Sequence, residues 1–268
     1  MAIGALRYDQ VAFKGVHNSI DRKFSLLDQL QATGGVVGRC AAIELDLHQD
    51  KHRFKWTVKH RAKDPGTPFE KTIKQIAAWS RQNPKHSVVT IHLDLKNEPL
   101  SDKGFAEALD SLLIDMCGRR RIYAPRSVIG PHADLVRGAR AGGWATIDEL
   151  KGKLVFCLSG MVERKRTYSE WKPRDRKCFA DYSGSRGPLS KGHRVFANLF
   201  VAAKRYKESL DRLAKHAGYI TRGYNIVTRS QWDMSIERGL NILSCDILDN
   251  SGYSLGSTGR RKLRVRRR

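Results

Sequence analysis

The sequence predicts an α/β protein: a TIM-type (β/α)8 barrel, irregular or distorted in places, over residues 1–255, with a basic tail over residues 256–268. Three observations predict it. Short β-type runs alternate with amphipathic helical runs along the whole length, the pattern of parallel β/α units. Roughly eight such runs fit into about 250 residues, the size of one closed barrel. Neither a G-x-G-x-x-G nor a G-x-x-x-x-G-K loop is present, which argues against an open, doubly wound nucleotide-binding sheet.

The elements follow in order. Residues 11–16 (VAFKGV) read as a strand, and residues 25–31 (SLLDQLQ) as a helix ended by Gly34-Gly35. Residues 41–47 (AAIELDL) and 54–59 (FKWTVK) are the next strands. In residues 69–81 the apolar positions Phe69, Ile73, Ile76 and Ala77 recur at helical spacing. Residues 87–95 (SVVTIHLDL) form a strand and residues 102–116 a helix. Residues 153–158 (KLVFCL) and 194–199 (RVFANL) are strands, 201–216 is a basic helix stopped by Gly218, 219–226 a strand, 231–238 a helix and 241–247 (NILSCDI) the closing strand. The polar stretch 161–191 reads as long loops around one short strand at 178–182.

Bulk composition narrows the function classes. The chain has 268 residues and a formal charge of +23, from 50 Lys and Arg against 27 Asp and Glu. Such a protein is drawn to polyanions: nucleic acid, an anionic membrane surface or a phosphorylated substrate. Residues 259–268 (GRRKLRVRRR) concentrate part of that charge and read as a disordered basic tail. No apolar window approaches the roughly 18 residues of a membrane span. No secretory signal is visible at the start, so either the chain stays in the cell or it is a mature segment with an added Met. The five cysteines, Cys40, Cys117, Cys157, Cys178 and Cys245, are scattered without a C-x-x-C pair, which argues against a thiolate zinc site and for buried free thiols; export would allow one disulfide.

The chemistry gathers at strand ends. Side chains alternate along a strand, so Glu44 and Asp46 share one face while Ile43, Leu45 and Leu47 share the other. The next parallel strand repeats the pattern, with His92, Asp94 and Lys96 opposite Ile91, Leu93 and Leu95. The apolar faces pack under helices, which turns Glu44, Asp46 and Asp94 into the barrel, with Asn18 close by. Inward carboxylates are costly unless paired or metal-bound. Three carboxylates and an amide oxygen without a thiolate form a hard-cation ligand set suited to Ca2+ or Mg2+. His17 and His60 at the rim supply groups that titrate near neutral pH, as acid–base catalysis requires.

The ordered segments GVHNS (15–19), IELDLH (43–48), VKH (58–60) and HLDLK (92–96) resemble the motifs of the phosphatidylinositol-specific phospholipase C superfamily, in particular its calcium-dependent bacterial branch. The resemblance covers most of the first 100 residues; beyond them only the β/α rhythm agrees. It implies that Asn18, Glu44, Asp46 and Asp94 bind Ca2+, that His17 contacts the phosphate or acts as base, that His60 is the general acid, and that Lys96 holds a phosphate oxygen. It implies a phospholipid substrate, cleaved by internal attack of a sugar hydroxyl. More loosely, it places Arg222 and Tyr224 against the inositol ring. The expected protein is a monomer, secreted or associated with an anionic membrane surface in its mature form, with no specific nucleic acid partner. The D-L-K form of the fourth motif is shared with sphingomyelinase D-like enzymes and glycerophosphodiester phosphodiesterases, which use Mg2+ and form the alternative. A nucleic-acid-binding protein is the second alternative; no recognition motif for it is present, and it leaves the inward carboxylates unexplained.

Overall fold

The computed structural model describes residues 2–49, 55–96, 104–186, 188–249 and 259–261. Its strands are β1 (Val11–Val16), β2 (Ala42–Gln49), β3 (Trp56–Val58), β4 (Thr67–Pro68), β5 (Val89–Leu95), β6 (Leu154–Gly160), β7 (Cys178–Ser183), β8 (Phe196–Phe200), β9 (Ile220–Ile226), β10 (Ile242–Cys245) and β11 (Gly259–Arg260). Eight of them, β1, β2, β5, β6, β7, β8, β9 and β10, run parallel around a ring that closes where Gly15 of β1 meets Ala42 of β2. This is the predicted TIM-type barrel. Closure is tight: a Cβ on Gly15 would lie 3.0 Å from Ser244 Oγ, 3.1 Å from Ala42 Cβ and 3.2 Å from Ile242 Cγ2.

The helices are α1 (Leu26–Gln31), α2 (Phe69–Gln82), α3 (Phe105–Cys117), α4 (Pro125–Ile129), α5 (Leu135–Arg140), α6 (Val162–Glu170), α7 (Tyr206–Leu213) and α8 (Arg229–Glu237). Local chemistry starts several of them. Ser25 caps α1 in a reciprocal box with Asp28, Thr228 does the same for α8 with Gln231, and Pro125 opens α4. The apolar stripe of α2 (Phe69, Ile73, Ile76, Ala77) and of α3 (Leu109, Leu113) packs on Ile43, Leu45, Leu47, Ile91, Leu93 and Leu95. That burial settles which face of β2 and β5 turns inward.

The structure corrects three sequence expectations. Residues 56–58 are not a ring strand: β3 pairs antiparallel with β2 and carries a short outer ribbon with β4. The vacated place in the ring goes to β7, the short strand expected at 178–182, while the stretch read as loops before it holds α6. The polarity of α6 hid it, because it has no clear apolar stripe and yet buries Arg164, Lys165, Tyr168 and Ser169. The predicted helix 201–216 contracts to Tyr206–Leu213, preceded by turns. Between β7 and β8 the described residues form a 3-10 turn, Gly184–Arg186, and no α-helix, which is where the barrel departs from regular repetition.

The start of the presumed tail is also ordered. Gly259 and Arg260 pair antiparallel with Ala12 and Val11. Arg261 is buried at the N-terminal end of the barrel, where its guanidinium donates to the carbonyls of Tyr219 (2.9 Å), Asp9 (3.2 Å) and Gly239 and to Thr221 Oγ1 (3.3 Å). Residues 262–268 lie outside the described residues. All five cysteines are free and buried.

Candidate active site

The polar side chains converge at the C-terminal ends of the ring strands, where barrels of this type carry their sites. The register sets Glu44 beside His92 and Asp46 beside Asp94. Glu44, Asp46 and Asp94 each offer an oxygen within 4.8 Å of the others. Gly160, at the end of β6, adjoins Asp94; it has φ +77°, and a side chain there would collide with Asp94 Oδ1 and the Leu95 carbonyl. A glycine at this place leaves the carboxylate its room.

Each carboxylate has named partners. Glu44 Oε2 accepts from the Asn18 N–H at 2.9 Å and lies 3.1 Å from Arg222 Nη2 and 3.9 Å from His17 Nε2. Asn18 presents that N–H because it adopts a left-handed conformation (φ 51°, ψ 59°) directly after β1. Asp46 Oδ2 is 2.8 Å from His60 Nδ1, and Asp46 Oδ1 is 3.3 Å from Lys96 Nζ. Lys96 Nζ also lies 2.6 Å from Asp94 Oδ2. His17 Nδ1 is 2.8 Å from Asp246 Oδ1, and Arg22 Nη2 clamps the pair from 2.5 Å on Asp246 and 2.6 Å on the His17 carbonyl.

The electrostatics differ sharply between neighbours. Burial alone would raise the Glu44 carboxyl, but Arg222, His17 and the Asn18 N–H together hold it below its ordinary value. Burial raises Asp46, and the Glu44 charge adds to it. Burial opposes the Lys96 charge, yet Asp94, Asp46 and Glu44 outweigh it and lift the ammonium above the usual lysine range.

The residues fit a hard divalent cation. They offer carboxylate oxygens only, the type Ca2+ and Mg2+ prefer. Asp46 Oδ1 is buried without a hydrogen-bond partner among the described residues, a costly state that a cation would relieve. Asn18, one residue from His17, meets the same corner through its backbone N–H on Glu44.

The sequence-predicted residues thus meet, with one difference of role. Arg222 is 1% exposed, and its guanidinium is held by Glu44, by Ser244 Oγ (2.9 Å) and by Asn198 Oδ1 (3.3 Å). It braces the carboxylate from below. Tyr224 is half-buried, stacked on Phe200 at 5.5 Å and 5.4 Å from the His17 ring. His92 lies one layer deeper with neither ring nitrogen partnered among the described residues, and burial drives its pKa well down. His86 is buried away from these residues against Ser80 and Ser87.

Sequence reasoning missed two groups. Asp246 sits just past β10, and its place at a C-terminal strand end was the available signal. Lys165 on α6 pairs with Asp181, which also accepts from Ser159 Oγ; Asn198 Nδ2 donates to Ser159 at 3.0 Å and so joins this network to Arg222. No local signal marks Lys165, because α6 itself was invisible.

Residues 60–258 match the family described as phosphoinositide phospholipase C, Ca2+-dependent. The matched stretch holds His60, Asp94, Lys96, Arg222, Tyr224 and Asp246, while His17, Asn18, Glu44 and Asp46 precede it. Among solved structures, the calcium-dependent phosphoinositol-specific phospholipase C of the Gram-negative bacterium Pseudomonas sp. aligns with a TM-score of 0.76 at 17% identity, over 97% of this chain and 96% of that one. The Ca2+-dependent phosphatidylinositol-specific phospholipase C of Streptomyces antibioticus aligns with a TM-score of 0.70 at 18% identity, over 90% and 95%. PLC21 of S. officinalis gives 0.52 at 14% identity, over 91% of this chain but 34% of that one. No curated protein matches the sequence. At such identities the structural likeness speaks for the fold, and the family match across well over half of the chain speaks for descent. The chain belongs to the Ca2+-dependent phosphoinositide phospholipase C family, whose members are phosphoric diester hydrolases.

Proposed function

We propose that the chain cleaves phosphatidylinositol into diacylglycerol and an inositol cyclic phosphate. The observation that carries this is the double pairing of histidine with carboxylate around one acidic cluster: His17 with Asp246, and His60 with Asp46. Asn18, Glu44, Asp46 and Asp94 would hold Ca2+, which supplies positive charge for the phosphoryl oxygens.

The chain's own residues do the proton work. With Nδ1–H donated to Asp246, the His17 Nε2 keeps its lone pair and can take the proton of the inositol 2-hydroxyl. The oxygen that loses it bonds to phosphorus while the bond from phosphorus to the diacylglycerol oxygen breaks. His60, its Nδ1 held by Asp46, gives that leaving oxygen a proton. Attack from within one bound molecule needs no second reactant to be ordered. Lys96 holds a phosphate oxygen, and Tyr224, braced by Phe200 and backed by Arg222, walls the inositol ring.

The rim explains how a monomer, secreted or at a membrane surface, would meet a lipid. Val162, Phe200 and Val227 are exposed just at or past the C-terminal ends of β6, β8 and β9, around the site's mouth. Scattered apolar side chains at that position can enter a bilayer, and the net charge of +23 favours an anionic one. No helix among the described residues is long and apolar enough to cross a membrane.

The test is hydrolysis of phosphatidylinositol vesicles followed by phosphorus NMR, with Ca2+ and with EGTA. Inositol cyclic phosphate should form only with Ca2+, and His17→Ala and His60→Ala should each lower turnover by about 10²–10⁴-fold. Turnover of sphingomyelin or glycerophosphodiesters with Mg2+, and none of phosphatidylinositol, would move the chain to the alternative chemistry.

A further inference from the structure

Two cations stand on the three carboxylates, and they are held differently. Arg222 meets Glu44, but its Nε and Nη1 are tied to Ser244 and Asn198 and its side chain is 1% exposed, so it has nowhere to go. Lys96 meets Asp94 at 2.6 Å and Asp46 at 3.3 Å through one ammonium at the end of a flexible four-carbon stem. Its side chain is 28% exposed, and its ion-pair partners Asp94 and Asp46 are carboxylates. The Asp46 oxygen it approaches is the same Oδ1 that lacks a hydrogen-bond partner among the described residues.

We infer that Lys96 and the divalent cation compete for the same oxygens of Asp94 and Asp46, so that loading the cation releases the Lys96 ammonium to the phosphate of the substrate. This rests on the cation reading proposed above. The charges make the exchange reasonable. Three carboxylates this close repel one another, and with Arg222 alone they keep two net negative charges; Lys96 reduces these to one and holds the cluster together. A divalent cation at the carboxylates would do the same work and repel an ammonium a few ångströms away, where charges of like sign interact strongly. The freed ammonium then becomes available to a phosphodiester, whose negative charge is placed beside it. Cation and phosphate therefore bind in order, and each strengthens the other, since coupling between two sites is reciprocal.

The experiment measures Ca2+ binding by isothermal titration calorimetry on the full chain, as wild type, Lys96→Met, Lys96→Gln and Lys96→Arg, alone and with myo-inositol 1-phosphate. Far-ultraviolet circular dichroism confirms folding; the Gln variant serves if the Met variant fails to fold. Losing the competitor should tighten Ca2+ binding by about tenfold or more in the Met and Gln variants and leave the Arg variant near wild type. In the same two variants myo-inositol 1-phosphate should no longer strengthen Ca2+ binding. Unchanged or weaker binding in both, with wild type binding Ca2+, would show that Lys96 scaffolds the carboxylates and overturn the exchange alone. Binding by neither wild type nor variants would remove the cation reading together with it. Binding by the variants and not by wild type is the strongest form of the expected result.

Discussion

Arg222→Met is the sharpest single test of how the barrel interior supports the site. The substitution keeps an unbranched apolar stem in place of the arginine stem and removes the guanidinium with its charge and donors. Glu44 is 4% exposed and would keep the Asn18 N–H while losing its cation at 3.1 Å; Ser244 and Asn198 would each lose a donor. Breaking one side of a buried pair costs about 3–5 kcal/mol, because a charge is left behind without a partner. For a domain of this size that is a fall in Tm of about 6–20 °C, at about 2–4 °C per kcal/mol. The assay is urea and thermal unfolding in EDTA, for Arg222→Met, Glu44→Gln and the double variant. Neutralising Glu44 should recover about 2 kcal/mol of the loss, which the double-mutant cycle reports as coupling. A loss below about 1 kcal/mol in Arg222→Met, or an equal loss with and without the Glu44 charge, would refute the brace and leave Arg222 as ordinary packing.

Three further outcomes are expected. Burial holds the His86 pKa below its ordinary 6.5, with Arg121 and Arg39 adding to it, so the unfolded chain binds a proton there that the folded chain does not; stability should fall as pH drops below 6.5, by up to about 1.4 kcal/mol per pH unit for this group, and an unchanged acid slope in His86→Gln would count against it. Arg261→Met removes a buried guanidinium from three carbonyls and Thr221 and should lower stability by about 3 kcal/mol; a wild-type urea midpoint would mean that the C-terminal segment does not close the barrel end in solution. Replacing Val162 and Val227 by Ser should weaken binding to phosphatidylinositol vesicles by roughly tenfold, from lost apolar burial, and leave cleavage of a soluble short-chain substrate intact; equal vesicle binding would sink the rim as a docking surface.

Much of this protein was legible in the order of its residues. Period-2 alternation puts Glu44 and Asp46 on one face and Asp94 on the same face of another strand. Parallel pairing of β2 with β5 needs only a crossover of ordinary length, so the three carboxylates meet almost as soon as the fold class is named. His17 and Asn18 follow the strand beside them, and His60 follows the ribbon attached to β2. All of these are consequences of local pattern and short connections.

The rest depends on contacts that local pattern does not encode. His17 finds Asp246 across 229 positions because the last ring strand closes onto the first. Lys165 reaches Asp181 from a helix with no apolar stripe, whose burial comes from polar groups satisfied by tertiary partners. Arg222 carries the same charge in any strand, and only its depth beside Glu44, Ser244 and Asn198 makes it a brace. Arg261 looks like tail charge until four acceptors at the barrel's end surround it. The physical reason is common to all four. A side chain's period assigns it a face, but whether a charged group is solvated, paired or buried is decided by what the closed barrel brings to that face.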